Sequence, residues 1–64
     1  MSMLTAKMAV EREEGHTAHW YGRNIYAGGI KMLYLYNDFK RAVKYGLIVC
    51  KRENNRTMYF KKEV

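Results

Sequence analysis

The fold is decided by residues 30–64, which read IKMLYLYNDFKRAVKYGLIVCKRENNRTMYFKKEV. Apolar side chains recur in the first half of this stretch at the i, i+3, i+4, i+7 spacing of one helix face. They are Met32, Leu35, Phe39, Ala42 and Val43. The spacing predicts a helix over Ile30–Tyr45 that ends at Gly46. The opposite, polar face of this helix comprises Tyr34, Asn37, Lys40, Arg41 and Lys44.

The start of this segment allows a second interpretation. Residues Ile30–Tyr36 alternate as in a strand, and Asn37 would then cap a shorter helix that begins at Asp38. Both arrangements are open on the sequence alone. We take the single long helix as the prediction.

A β-hairpin is predicted over Leu47–Glu63. Asn54 and Asn55 suit a two-residue turn, because asparagine tolerates positive φ. Glu53 then faces Arg56 across the turn, which is a favourable pair of opposite charges. Counting back along both strands gives the remaining pairs, Lys51–Met58, Val49–Phe60 and Leu47–Lys62.

This register also divides the hairpin into two faces. Val49, Met58 and Phe60 share one face, and we expect them to close over the preceding helix. Cys50 and Tyr59 pair on the other face.

The N-terminal residues 1–29 are expected to supply further helices. Met1–Glu14 is rich in good helix formers, with Ser2 as a cap and Gly15 as a stop. His16–Gly29 suits either a short helix or an aromatic strand that ends at its two glycines, and we predict the helix. The fold class is therefore α+β, in a single small basic domain over residues 1–64. A small helical N-terminal part packs on the amphipathic helix, which a C-terminal β-hairpin follows.

The chain is basic. Twelve Lys and Arg against six Asp and Glu give a net charge of +6. Residues 1–15 hold two bases and three acids, a net of −1, and residues 16–64 hold ten bases and three acids, a net of +7. A cationic body attracts nucleic acid, anionic membranes or acidic proteins, although charge can also serve solubility alone. No apolar run approaches the ~20 residues that cross a bilayer, and no signal-peptide pattern opens the chain. We expect a cytoplasmic protein that does not bind membranes.

The small size favours a partner. A chain of 64 residues buries only a modest share of its surface on folding. It usually needs an additional stabiliser, which is a disulfide, a metal ion or a partner subunit. Cys50 is the single cysteine, so no internal disulfide forms, and a lone thiol fits a reducing compartment. A homodimer or a protein partner is the expected stabiliser, and an adequate monomer is the alternative.

No catalytic or metal-binding pattern is present in the sequence. His16 and His19 lack further ligands at a suitable spacing and are expected to be surface or half-buried imidazoles. Cys50 has no base arranged beside it and is expected to be a half-buried strand cysteine. The glycines do not follow a phosphate-loop spacing. We therefore expect no enzymatic activity, no metal and no cofactor.

The segment LYNDFKRAVKYGLIVCKRENNRTMYFKKE resembles the C-terminal half of a winged helix-turn-helix domain. In that family a recognition helix ends in Gly-Leu-Ile/Val, followed by a strand, a basic turn called the wing, and a strand rich in Tyr and Phe. Here Lys40–Tyr45 would close the recognition helix, and Gly46–Ile48 would form the junction to the first strand. Lys51–Arg56 would be the wing and Thr57–Phe60 the return strand. The resemblance covers about half of the chain. It implies a compact three-helix core, whose first two helices would come from residues 1–29.

The resemblance implies a small DNA-binding transcriptional regulator. The polar face of the Ile30–Tyr45 helix, which includes Tyr34, would enter the major groove. Asn37 and Arg41 would reach base edges, since Asn suits adenine and Arg suits guanine. Phosphate contacts would come from Lys40 and Lys44. The bases of the wing would contact the backbone or a minor groove: Lys51, Arg52 and Arg56.

Two other functions are open. The chain has six tyrosines, which cannot all lie in the core of so small a domain. Aromatic residues interspersed with arginine are typical of protein interfaces, which suggests a small phage- or mobile-element-type protein that inhibits or modulates a host protein. They are also typical of single-strand stacking platforms, which suggests an RNA or single-strand binder with a tyrosine-rich sheet.

Overall fold

The computed structural model describes residues 3–63, in which three helices precede a two-stranded antiparallel hairpin. The helices are α1 (Met3–Arg12), α2 (Ala18–Asn24) and α3 (Met32–Lys44), and the strands are β1 (Ile48–Glu53) and β2 (Arg56–Lys61). The predicted α+β class is confirmed, with the helical part, the amphipathic helix and the hairpin in the predicted order.

The helix predicted over Met1–Glu14 is present and ends slightly earlier, at Arg12. The proposed cap at Ser2 lies outside the described residues. Residues 13–16 then form the connection in which Gly15 and His16 reach the hairpin. Gly15 adopts a φ of +88°, which favours glycine at this bend.

α1 turns its small side chains inward and two large apolar ones outward. Ala6, Ala9 and Val10 are buried, and the short alanines let α1 pack closely on α3. Leu4 and Met8 lie on the opposite side and are exposed. The buried stripe is therefore narrow, and the outer face of α1 carries two exposed apolar side chains among charged ones.

The ambiguous segment His16–Gly29 contains a short helix, α2, in agreement with the prediction. Thr17 caps it, because its hydroxyl oxygen accepts a hydrogen bond from the Trp20 N–H at 3.1 Å. Gly22 lies against α3, where an added Cβ would stand 2.8 Å from Cδ2 of Leu35. The absence of a side chain at Gly22 thus sets how closely α2 and α3 approach.

α3 is one continuous helix from Met32, so the strand alternative for Ile30–Tyr36 is wrong. The predicted apolar face is confirmed: Leu35, Phe39 and Ala42 are buried, while Met32 and Val43 pack partly buried beside them. One polar residue, Asp38, is buried with them.

The predicted register of the hairpin is confirmed. Glu53 pairs with Arg56, and the pairs run back to Ile48 opposite Lys61, one position short of the predicted pair Leu47–Lys62. Asn54 and Asn55 have φ of 51° and 65°, the left-handed conformations that a tight two-residue turn requires.

The predicted core face of the hairpin is wrong. Ile48 and Tyr59 are 1% and 6% exposed and point into the core, whereas Val49 is 39% exposed on the other face. The register defines which residues share a face but not which face meets the helices. Here Tyr59 decides the orientation, because its ring packs against Phe39 with the centroids 4.7 Å apart.

The connection between α1 and α2 pairs with β2, an association that the sequence analysis did not predict. The Gly15 N–H donates to the Tyr59 carbonyl at 2.7 Å, and the Tyr59 N–H donates to the His16 carbonyl at 2.9 Å. β2 is thereby flanked by β1 on one edge and by this short bridge on the other. The bridge ties the helical part to the hairpin.

Candidate nucleic-acid interface

The polar face of α3 is exposed as predicted. Its five predicted contact residues all lie on the side away from the core: Tyr34, Asn37, Lys40, Arg41 and Lys44. They share one helix surface because residues three, four and seven apart stack along a helix. A shallow depression of ≈ 380 Å³ on this surface is lined by Tyr34, Asn37, Lys40 and Arg41, together with Asp38.

A second depression, which we call the cationic groove, runs between α3 and the hairpin. It has a volume of ≈ 500 Å³ and brings together three of the predicted contact residues, Lys40, Arg52 and Arg56. Tyr36 and Asn55 also line it. Since Lys40 lines both depressions, the cationic groove is continuous with the polar face of α3.

Arg52 is held across the two strands. Its Nη1 donates to the Thr57 hydroxyl at 3.4 Å, from a residue directly opposite in the hairpin. This long hydrogen bond orients the guanidinium without neutralising it. Thr57 itself lines the cationic groove, so the arginine stays at the groove wall.

Lys51 lies apart from the other predicted contact residues. Its Nζ stands 5.3 Å from the ring centroid of Phe60, on the face of the hairpin away from the cationic groove. Together with Glu14, Lys61 and Lys62 it lines a separate depression of ≈ 690 Å³. Arg52 and Lys51 therefore lie on opposite faces of the hairpin, while Arg56, beside the turn, lines the cationic groove although its register position shares a face with Lys51.

Two residues at the start of α2 line the cationic groove and were missed as candidate contact residues. They are Thr17, which caps α2, and His19, which is exposed. From its sequence context, His19 was a candidate only for a metal ligand or a surface or half-buried imidazole. Nothing local in the sequence indicates that the first turn of α2 reaches the hairpin, because the contact depends on tertiary packing.

Asp38 also lines the depression on α3, although it is almost completely buried, and it was not predicted from the sequence as a site residue. It is 4% exposed, and its Oδ2 has no hydrogen-bond partner among residues 3–63. Its Oδ1 is 3.9 Å from Nη1 of Arg41, which is itself exposed. A carboxylate at this distance draws the Arg41 guanidinium toward one side of α3. The sequence held one signal for this residue: Asp38 is polar and lies three positions after Leu35, within the apolar stripe of the predicted helix.

Asp38 also acts on a tyrosine of the α2–α3 connection. Burial, and then the negative charge of Asp38, raises the pKa of Tyr26 above its ordinary value. The Tyr26 hydroxyl stays protonated and donates to the Thr5 carbonyl at 3.0 Å. This hydrogen bond ties the connection to α1, so it serves the fold rather than the exposed surface.

The two histidines differ in environment, as expected for surface and half-buried imidazoles. The His16 ring stacks on Trp20 at 3.5 Å, and its Nε2 is 2.6 Å from a Glu13 carboxylate oxygen. His19 is exposed. Within residues 3–63, no three His, Cys, Asp or Glu side chains converge closely enough to hold a metal ion. Cys50 lies on β1 as predicted, but it is exposed rather than half-buried.

The tyrosines divide between core and surface. Tyr21 and Tyr59 are buried on either side of Phe39, while Tyr34, Tyr36 and Tyr45 are exposed. Tyr59 is the single tyrosine of the two strands and faces the core. The tyrosine-rich sheet required by the single-strand alternative is therefore not formed.

None of the helices in the described part of the chain has the length and apolar character needed to span a bilayer. No family model matches this chain, and neither a curated protein nor a solved structure matches it significantly.

Proposed function

We propose that this chain is a small nucleic-acid-binding protein that binds duplex DNA, as a transcriptional regulator of winged-helix type. The observation that carries the proposal is the continuous surface made by the polar face of α3 and the cationic groove, with Lys40 common to both. The order of the elements also supports it: a helix, a short bridge to the sheet, two further helices and a hairpin. The exposed single thiol of Cys50 is compatible with a reducing cytoplasm.

In this proposal α3 lies in the major groove and the hairpin tip lies along the adjacent backbone. Asn37 and Arg41, about one turn apart, face the base edges. Lys40 and Lys44 contact phosphates on either side of them. Arg52 and Arg56 extend the phosphate contacts from the cationic groove, whereas Lys51 points away and contributes only to the long-range attraction.

The test begins with selection of binding sites from a randomised duplex pool, followed by titration of the selected duplex with purified variants. Arg41→Ala should weaken binding by about 1–3 kcal/mol and relax the preference at one position, because a base contact is lost. Lys44→Ala should weaken selected and random duplexes alike, because phosphates carry no sequence information.

Lys62→Ala is the matched control, since it removes the same charge from a residue that lines neither the cationic groove nor the depression on α3. Its affinity should remain close to that of the unmodified protein. The proposal is wrong if no duplex is enriched, or if Lys62→Ala weakens binding as much as Lys44→Ala.

A protein target is the second candidate function, and one observation favours it. Three exposed tyrosines, Tyr34, Tyr36 and Tyr45, lie on and just after α3, the helix that also carries the exposed Arg41. Tyrosine and arginine are the side chains most often found at the centre of protein interfaces. Recovery of one stoichiometric protein at high salt, after nuclease treatment and with no duplex enriched in the selection, would favour this candidate.

A further inference from the structure

The outer face of α1 carries two uncovered apolar side chains. Leu4 and Met8 stand one turn apart on it, and Met8 is 67% exposed. Residues four apart are neighbours on a helix surface, so the two side chains form one short stripe. This stripe faces away from α3 and from the cationic groove, so neither the core nor the proposed DNA surface accounts for it.

A shallow apolar groove lies directly beside the stripe. It has a volume of ≈ 290 Å³ and lies between α1 and the end of α2, where Ile25 and Tyr26 form one wall and Met8, Ala9 and Arg12 form the other. The groove lies on the Arg12 side of Met8, whereas Leu4 lies on the opposite side of Met8.

The charges around the stripe are self-complementary. Lys7 and Glu11 flank it on one side and form an ion pair at 3.1 Å, while Arg12 flanks it on the other side. When two identical helices pack antiparallel, each flank meets the same flank of the other copy in the reverse direction. Lys7 of one copy would then face Glu11 of the other, and the reverse pair would form by symmetry.

We propose that a second copy of this chain occupies the outer face of α1, antiparallel about a twofold axis near Met8. The Met8 side chains meet at the axis, and Leu4 of each copy lies against the aliphatic part of the other copy's Glu11 side chain. In this register Lys7 and the other copy's Glu11 are offset by two residues, or about 3 Å along the helix axis, which their side chains can span. The interface does not depend on nucleic-acid binding.

The expected dimer is weak. α1 has 10 residues and is thus about 15 Å long, and one such helix with its neighbouring groove covers less than the roughly 800 Å² per partner of a standard interface. Self-association of this kind supplies part of the stabilisation that a single small core lacks.

The test is sedimentation velocity over a wide range of protein concentration without nucleic acid. The unmodified protein should pass from monomer to dimer as concentration rises. Met8→Lys should weaken dimerisation about tenfold or more, because it places a charge at the apolar centre of the contact. Leu33→Lys is the matched control, since Leu33 is similarly exposed at 68% but lies on α3. It should dimerise like the unmodified protein.

A charge-reversal experiment tests the antiparallel arrangement itself. Lys7→Glu alone and Glu11→Lys alone each place like charges across the interface, so each variant should remain monomeric. An equimolar mixture should dimerise, because opposite charges face each other in the mixed pair. The proposal is overturned if the unmodified protein stays monomeric throughout, if Leu33→Lys disrupts association as Met8→Lys does, or if the mixture stays monomeric. Circular dichroism of each variant verifies that the fold is retained.

Discussion

Tyr21 links three parts of the molecule through one side chain. Its ring is fully buried and stacks with Phe39 at a centroid distance of 5.1 Å. Its hydroxyl donates to the Glu13 carbonyl at 2.6 Å, which holds the connection between α1 and α2. Burial is the main cause that raises the pKa of Tyr21, from 10.0 to about 12.

This pKa predicts a loss of stability at alkaline pH. Between pH 10.0 and about 12 the unfolded chain releases the Tyr21 proton, while the folded protein keeps it. The free energy of unfolding therefore falls as pH rises through this interval, by on the order of 2 kcal/mol from Tyr21. Below that interval Tyr21 contributes no pH dependence. Urea unfolding followed by the fluorescence of Trp20 measures the effect.

Tyr21→Phe is the control for this prediction. At neutral pH it should cost about 1 kcal/mol, because the Glu13 carbonyl loses its hydrogen-bond donor. At alkaline pH the variant should lose less stability than the unmodified protein, since it has no proton to release at this site. Equal pH profiles for both proteins would show that other groups cause the alkaline loss.

At the scale of elements, the closest approach in the core is between α2 and α3 at Gly22. We predict that Gly22→Ala destabilises the fold by about 1–2 kcal/mol, because overpacking against the buried Leu35 outweighs the gain in helix propensity. Urea unfolding measures the change. In a Leu35→Ala background the 2.8 Å contact with Leu35 Cδ2 is removed and Met32 Sδ at 3.1 Å remains near the added methyl group, so the same substitution should cost clearly less. An equal cost in both backgrounds would place its origin elsewhere than this contact.

The elements differ in how far local sequence predicts them. α3 is periodic over 13 residues, so its type and its buried face follow from the spacing of its apolar side chains. The hairpin register follows from two asparagines, because a two-residue turn leaves one way to pair the strands. The core face of the hairpin does not follow. It depends on the fit of Tyr59 against Phe39, two residues far apart in sequence that meet only after folding.

The bridge from residues 15 and 16 to β2 illustrates the same limit. A glycine and a histidine between two helices give no strand signal, and their two hydrogen bonds to Tyr59 become available only once the hairpin has docked. α2 was ambiguous for a related reason. Its seven residues are too few for periodicity to separate helix from strand, and the Thr17 cap and packing on α3 decide the outcome.

At the scale of the whole molecule, the charged residues of α3 could be placed on one surface from the sequence, whereas those of the hairpin could not. All five residues predicted on the polar face of α3 are exposed, because helix geometry places residues 34, 37, 40, 41 and 44 on one side. The exposed Leu33 lies on the same side and was not predicted there. The wing was predicted as one cluster because its bases are close in sequence. Strands alternate their faces, so Arg52 lines the cationic groove while its neighbour Lys51 lies over Phe60.

This division predicts a difference in the salt dependence of duplex binding. Each phosphate contact releases a counterion and contributes about 0.9 to the slope of log affinity against log salt. Arg52→Ala should lower the magnitude of the slope by roughly 1, because Arg52 stands at the wall of the cationic groove. Lys51→Ala should leave the slope nearly unchanged although it removes the same charge from the adjacent residue. Duplex titrations at several salt concentrations measure the slope for each variant. The two variants have the same net charge, so a difference in slope reflects the position of the lost charge. If both substitutions lowered the slope equally, the hairpin would contact DNA with both faces, and the duplex would then have to surround the hairpin tip rather than lie along the cationic groove.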